Sequence, residues 1–296
     1  MKHSIVLRAF AKINLGLRIL GKRPDGYHEI RTLYQTVALH DRLEVALLPG
    51  RDGIGMECND SGLPHGPGNL VYRASELWKR ARRFKGRIQL RLEKRIPVGS
   101  GLGGASSDAA ATLLGLEHLS GNQLDLATRL RLAARLGSDV PAFLWGGRVL
   151  GCGRGEEVYP LDDLSPRHCL VVFPGFSVST AEAYRQAGLG LTRRREARKL
   201  TGFGVWSRVP LEVWGPAEND FEQVVFARWP ELAGLKRQLI RAGAETALLT
   251  GSGSAVYAIF ESAQKLLRAS KSVPAAWQVL RTRTLSRSEY RRRVLG

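Results

Sequence analysis

PVGSGLGGASSDAA, Pro97 to Ala110, places four glycines among six residues, Gly99 to Gly104, ahead of a small-residue run. That run reads as the start of a helix from about Ser106 to Leu119. Glycines let a backbone curl until several N–H groups converge, and a helix N-terminus behind them adds the positive end of its dipole. Together they form an anion site suited to phosphates. Ser106 and Ser107 stand where a hydroxyl can cap the helix, touch a phosphate or help to hold Mg2+. The same letters also suit a glycine turn with a serine cap and nothing bound.

Three named loops compete for this stretch. Gly99, Gly101 and Gly104 satisfy the dinucleotide spacing G-x-G-x-x-G, but Pro97 intervenes after the strand. The acidic residue about 20 positions on should end a second strand. Here it is Asp125, inside a helical stretch. A Walker A loop needs Lys-Ser or Lys-Thr after the glycines, and neither follows. A protein kinase needs H-R-D and D-F-G, and the chain has neither.

Outward from the loop, Ile88, Leu90 and Leu92 alternate as a strand, and helices are predicted over 70–84 and 124–136, the second stopped by Gly137. Near the start, Ala9, Ala11, Ile13, Leu15, Leu17 and Ile19 alternate with Phe10, Lys12, Asn14 and Arg18. Lys12 and Asn14 therefore share one strand face, which pattern alone makes an ordinary solvent-facing side. The turn Pro24-Asp25-Gly26 precedes two predicted strands, 27–37 and 43–48, and 61–69 reads as a loop. The glycine-containing stretch 148–157 closes a first domain, giving 1–157 and 158–296. The second domain reads as α+β, with strands at 170–173, 247–250 and 255–260 and helices at 181–186, 221–226 and 232–242. The Arg- and Gly-containing segment 188–216 takes no assignment and leaves a lid or an assembly role open. The basic tail from Arg281 carries no chemistry that can be named.

Composition narrows the class. With 44% hydrophobic and 24% charged residues, the 296-residue chain is globular and long enough for two domains. Cys58, Cys152 and Cys169 are scattered and odd in number, against a disulfide framework or zinc site and for a reducing cytoplasm. Arg8 and Lys12 interrupt the N-terminal apolar stretch, so neither signal peptide nor membrane span is expected. The formal charge of +18 favours phosphate-bearing partners. It is spread over the chain, without the aromatic motif or zinc spacing of a nucleic-acid binder, so no nucleic-acid partner is expected.

Three blocks in order resemble the GHMP kinases. They are AKINLGLRILGKRPDGYHEIRTLYQTV (11–37), the glycine loop, and LLTGSGSAVYAIF (248–260); LGSDVPAFLWGG (136–147) and ENDF (218–221) also fit. The resemblance implies an α+β fold, with a ribosomal-protein-like N-terminal domain, a ferredoxin-like C-terminal domain and an active site between them. It implies ATP and Mg2+ as cofactors. The phosphates would lie on Pro97, Gly99, Ser100, Gly101, Leu102, Gly103, Gly104, Ala105, Ser106 and Ser107. Either Ser106 or Ser107 could approach the metal, and no protein ligand is assigned beyond them.

Lys12 would meet the reacting phosphate and the catalytic aspartate, and Asn14 would position substrate. Asp139, just before Val140-Pro141, reads equally well as a helix cap. The resemblance makes it the catalytic aspartate, kept ionised by a neighbouring ammonium. The implied acceptor is a small molecule, CDP-methylerythritol, and the Asp25-to-His28 block speaks against homoserine or a sugar. His28 would hydrogen-bond its base, beside Tyr27, and Tyr184 would stack on it, although each also suits plain packing. Thr180, Gly251 and Ser252 complete the predicted substrate site, with Asn219 and Asp220 as weaker candidates and Thr250–Ser254 as a second wall or a tight turn.

Overall fold

A computed structural model describes residues 4–191 and 218–295. The chain opens with a long ribbon of β1 (Ser4–Lys22) and β2 (His28–Leu48). The Pro24–Gly26 turn joins them, closed by Arg23 N–H to the Tyr27 carbonyl at 2.8 Å and by Tyr27 N–H to Asp25 Oδ1 at 3.1 Å. The two strands expected over 27–48 are one. β2 pairs with β1 along 28–36 and again along 40–46, while its other edge changes partner, from β5 (Arg148–Cys152) along 32–35 to β4 (Arg87–Glu93) along 42–48. The polar run His40–Arg42, which looks like a break in sequence, is carried across by this pairing.

β3 (Gly53–Cys58) adds in parallel to β4, and β6 (Glu157–Pro160) adds to β5, giving the order β3-β4-β2-β5-β6 with β1 on β2. Four helices pack on this sheet: α1 (Leu70–Arg82), α2 (Gly104–Ser120), α3 (Leu126–Leu136) and α4 (Val140–Trp145). Leu7, Leu43, Trp78, Leu90, Leu113 and Phe143 fill the core between them. Asp125 turns out to cap α3, accepting from Thr128 N–H at 2.8 Å, which disposes of the dinucleotide reading.

The second sheet has the order β10-β7-β9-β8, from β7 (His168–Phe173), β8 (Thr246–Leu249), β9 (Val256–Phe260) and β10 (Gln278–Arg283). Its alternation is legible residue by residue. Leu170, Val172, Val256 and Ala258 face the helices α5 (Thr180–Leu191), α6 (Glu222–Arg228), α7 (Pro230–Arg241) and α8 (Ala263–Ser270). Val171, Leu248, Tyr257 and Ile259 face the first sheet and meet Ala11, Ile13, Leu15 and Leu33 there. The apolar face of β1 thus serves three cores in turn, because register shifts after Phe10, Asn14 and Ile19 bend the strand along its length.

The basic tail has a structural task. α9 (Arg287–Val294) returns to the first sheet, where buried Tyr290 donates its hydroxyl to the Phe143 carbonyl and Arg287 reaches the carbonyls of Arg148 and Leu161. Of the stretch 188–216, 188–191 end α5 and the rest lies outside the described residues. Among the described residues, no helix is long and apolar enough to cross a membrane.

Candidate active site

A cleft of about 1290 Å³ runs between the glycine loop and the β1–β2 turn. At one end, Gly99, Gly101 and Gly103 have φ of 72°, 87° and 73°, the left-handed region that glycine enters without strain. Gly103 occupies the N-cap position of α2 without any side-chain cap bond, so the serines do not cap this helix. The first-turn N–H groups remain open to an anion.

The second glycine loop is built against the first. A Cβ at Gly101 would lie 2.1 Å from the Thr250 carbonyl oxygen, and one at Gly253 only 2.2 Å from the Ser100 carbonyl carbon. These are backbone atoms, which cannot swing aside. Gly253→Ala is therefore expected to displace the phosphate loop, raising the KM for ATP severalfold and costing about 1–3 kcal/mol of stability. Unchanged ATP kinetics and an unchanged Tm would contradict this packing. Buried Asn219 holds the same loop, donating to the carbonyls of Leu249 (2.9 Å) and Gly251 (2.8 Å). Asp220 accepts from Ile19 N–H at 2.8 Å. Neither lines the cleft.

Beside the loops, Lys12 and Asn14 are buried, 4% and 1% exposed, and not on a solvent face. β1 is covered on both sides, by the helices and by the second sheet. Lys12 Nζ donates to Asn14 Oδ1 at 2.7 Å and lies 3.4 Å from Asp139 Oδ2. Asn14 Nδ2 donates to Thr32 Oγ1 at 2.7 Å, and Thr250 Oγ1 lies 3.3 Å from Asn14 Oδ1. Asn14 sits directly opposite Tyr34 in the ribbon, so both side chains share a face.

The Tyr34 hydroxyl donates to Asp139 Oδ1 at 2.9 Å. Burial first, then the Asp139 charge, pushes the Tyr34 phenol well above its ordinary range, so it stays a neutral donor. Asp139 holds the N-cap position of α4 yet makes no cap bond; its carboxylate is turned to Lys12 and Tyr34 instead. The plain capping reading of this residue fails on that geometry.

At the far end, the His28 ring stacks on Tyr184, centroids 5.1 Å apart at 17°, and Tyr184 meets Phe221 edge-on. Tyr27 is 55% exposed, with the Arg154 guanidinium 4.7 Å over its ring. Thr180 and Ser252 face each other, their hydroxyl oxygens 2.8 Å apart. Burial, and then the Lys22 charge, lower the His28 pKa below its ordinary 6.5.

These landmarks decide the comparison with known proteins. Residues 69–147 match the family model described as GHMP kinases N terminal domain, and 214–278 match GHMP kinases C terminal. A protein of Solibacter usitatus named 4-diphosphocytidyl-2-C-methyl-D-erythritol kinase is 47% identical over 269 residues, covering 89% of this chain and 83% of its own. One of the same name from Pelotomaculum thermopropionicum is 40% identical, over 95% and 98% of the two chains. The chain belongs to the 4-diphosphocytidyl-2-C-methyl-D-erythritol kinase family of GHMP kinases.

The crystal structure of a 4-(cytidine 5'-diphospho)-2C-methyl-D-erythritol kinase superposes with a TM-score of 0.77 at 34% identity, covering 95% of this chain and 99% of that one. A homoserine kinase from Cytophaga hutchinsonii, TM-score 0.72 at 19% identity over 97% and 96%, shares the fold. This member of the GHMP kinases is an ATP-dependent small-molecule kinase with the expected α+β architecture.

Within the GHMP kinase frame, the cleft collects Lys12, Asn14, Tyr27, His28, Gly99, Gly101, Gly103, Gly104, Ala105, Ser106, Asp139, Thr180, Tyr184, Gly251 and Ser252. Pro97 does not line it, and the side chains of Ser100, Leu102 and Ser107 are buried beneath the loop. Ser100 donates to the Pro97 carbonyl at 2.6 Å, and the Leu102 carbonyl accepts from Lys12 N–H at 2.9 Å. These four shape the loop from below.

Sequence reading missed Thr32 and Tyr34, which only the β1–β2 register brings to Asn14 and Asp139. It also missed a buried cluster under the loop. Lys94 is held between Asp41 and Asp108, and a Cβ on Gly104 would stand 3.1 Å from its ammonium. Asp41 and Asp108 are 53 and 14 residues from Lys94, and an apolar-period reading gives no signal for such a group. Burial pushes the Asp108 carboxyl up to about 8. The cluster thus sets one ammonium against two carboxyl groups in the interior beneath the loop.

Proposed function

We propose that the protein transfers the γ-phosphate of ATP to the 2-hydroxyl of 4-diphosphocytidyl-2-C-methyl-D-erythritol, a step of the non-mevalonate route to isopentenyl diphosphate, in the cytoplasm. The observation that carries this reading is the order of groups along the cleft: open helix N–H groups, then Lys12 and Asp139, then His28 and Tyr184. A nucleotide phosphate, a reacting hydroxyl and a pyrimidine base fit that order, in a cleft between domains 1–157 and 158–296.

The glycine loop and the start of α2 hold the triphosphate by backbone N–H donors and dipole. Lys12, 3.4 Å from Asp139 Oδ2, neutralises charge on the phosphoryl group in flight. Asp139, fixed by the Tyr34 hydroxyl, accepts a hydrogen bond from the acceptor hydroxyl and aligns it in line with the γ-phosphorus. That hydroxyl is tertiary and hindered, so alignment contributes more than proton removal, and the proton passes to Asp139 as the O–P bond forms and ADP leaves. Asn14, tied to Thr32 and Thr250, sets the position of the Lys12 ammonium.

For Mg2+, Ser106 is the fitting side chain, since it lines the cleft at the head of α2. Among the described residues no group of three or more His, Cys, Asp or Glu is placed to hold a metal alone. A hard cation brought in on phosphate oxygens suits such a donor set. When bound it would neutralise the phosphate charge and polarise the γ-phosphoryl group.

Phosphorus NMR of the product tests the reading: the new phosphate should sit on the tertiary carbon of the methylerythritol part. A phosphate on a primary or secondary hydroxyl would reject the assigned alignment. His28 supplies a second check. Because its pKa is lowered, it is neutral at neutral pH and becomes a cation only below 6.5. The acceptor KM should be flat from about pH 7 to 8 and rise as the pH falls further, and His28→Ala should remove that rise. A KM that rises equally in both proteins would take His28 out of base recognition.

A further inference from the structure

A second cavity, of about 500 Å³, shares no lining residue with the catalytic cleft. It lies where the two sheets are stitched together: Leu39 N–H donates to Thr282 Oγ1 at 2.9 Å, and Val37 bridges to Thr284 just beyond. One part of its wall is aliphatic, from Leu39, Leu266 and Leu267, the last 42% exposed on α8. The other part carries Arg95, Arg281, Arg283, His40 and His168. Among the described residues, no carboxylate lines it. Arg95 and Arg283 are engaged by Glu93 and Glu289, whereas Arg281 forms no ion pair among the described residues. The positive field reaches His40, whose pKa is lowered by burial and then by Arg8, Arg95 and Arg293.

An exposed guanidinium without an ion pair among the described residues, beside an aliphatic wall, is complementary to one kind of molecule. Arginine forks match oxyanions, and exposed leucines gain by covering apolar surface. A cavity on the seam between two sheets is also a preferred place for a ligand. We propose that this cavity binds a small amphiphilic anion, an oxyanion head at Arg281 and His168 with a short aliphatic tail on Leu39, Leu266 and Leu267. Such a ligand would touch both sheets at once, and it would do so away from the reacting groups.

Calorimetric titration of the whole protein with monomeric octyl phosphate, in saturating Mg-ATP, tests this. Binding is expected, at least about tenfold weaker for Arg281→Glu and for Leu267→Asp, with inorganic phosphate and octanol each weaker by a similar factor. Both substitutions are at exposed positions, and ADP release should stay at the unsubstituted level in each. Octanoate in place of octyl phosphate separates a carboxylate head from a phosphate head; binding of either supports the site. Absence of binding by both, affinity unchanged in both variants, or affinity matched by inorganic phosphate alone would overturn the proposal. So would attachment to phosphatidylglycerol vesicles without binding of the monomer, which would assign the patch to a membrane surface.

Discussion

Asp139→Ala is expected to fold normally and to lose about 10³-fold or more in kcat, with the KM for ATP changed little. Asp139 makes no cap bond to α4 and is one-third exposed at its side chain, so its removal costs the fold little. What is lost is the acceptor of the reacting hydroxyl and the partner of Lys12. Lys12→Ala should lose a comparable factor, because the same hydrogen-bonded group contains both. Residues acting as a unit are not additive, so the double variant should be scarcely slower than either single one. Tyr34→Phe, which frees one oxygen of Asp139 while leaving its charge, should lose much less. Near-normal turnover in the Asp139 variant would take that residue out of the reaction.

The second large effect falls on stability. Lys94→Met leaves Asp41 and Asp108 facing each other in the interior, where removing one partner of a buried ion pair costs about 3–5 kcal/mol. Thermal unfolding should drop by roughly 10 °C. Asp108→Asn is the contrasting case. Its parent carboxyl, raised to about 8, is already protonated at neutral pH, so the amide should be tolerated. The sign follows from the raised value: the Asp108 contribution is complete below its ordinary 3.8 and is lost as the pH rises through about 8. Asp108→Asn should therefore flatten any loss of stability between about pH 4 and 8, the interval between its ordinary and its raised pKa. A Lys94 variant as stable as the parent would mean that this cluster is not what supports the loop.

Much of this was legible because it is local. The glycine loop needs left-handed φ at Gly99, Gly101 and Gly103, and only glycine supplies that without strain, so the letters announce the geometry. Alternation exposed β1 and β4, while β7 and β9 read as short apolar strands. What escaped was long-range. β3 holds two glycines in six residues and exists through its pairing with β4. The tail gave only basic letters, yet buried Leu285, Tyr290 and Val294 form a small core with Phe10. Lys12 and Asn14 looked exposed because period-two alternation cannot tell a strand covered on one face from one covered on both. The Lys94 cluster and Tyr34 become visible only once the register of β2 is known.

The most direct test is ADP release by the purified protein with Mg-ATP and 4-diphosphocytidyl-2-C-methyl-D-erythritol, run beside homoserine, mevalonate and galactose. The site predicts turnover with the cytidine-bearing acceptor alone, since His28 and Tyr184 offer nothing to the other three. Turnover with one of those and not with the cytidine compound would contradict the account at its centre.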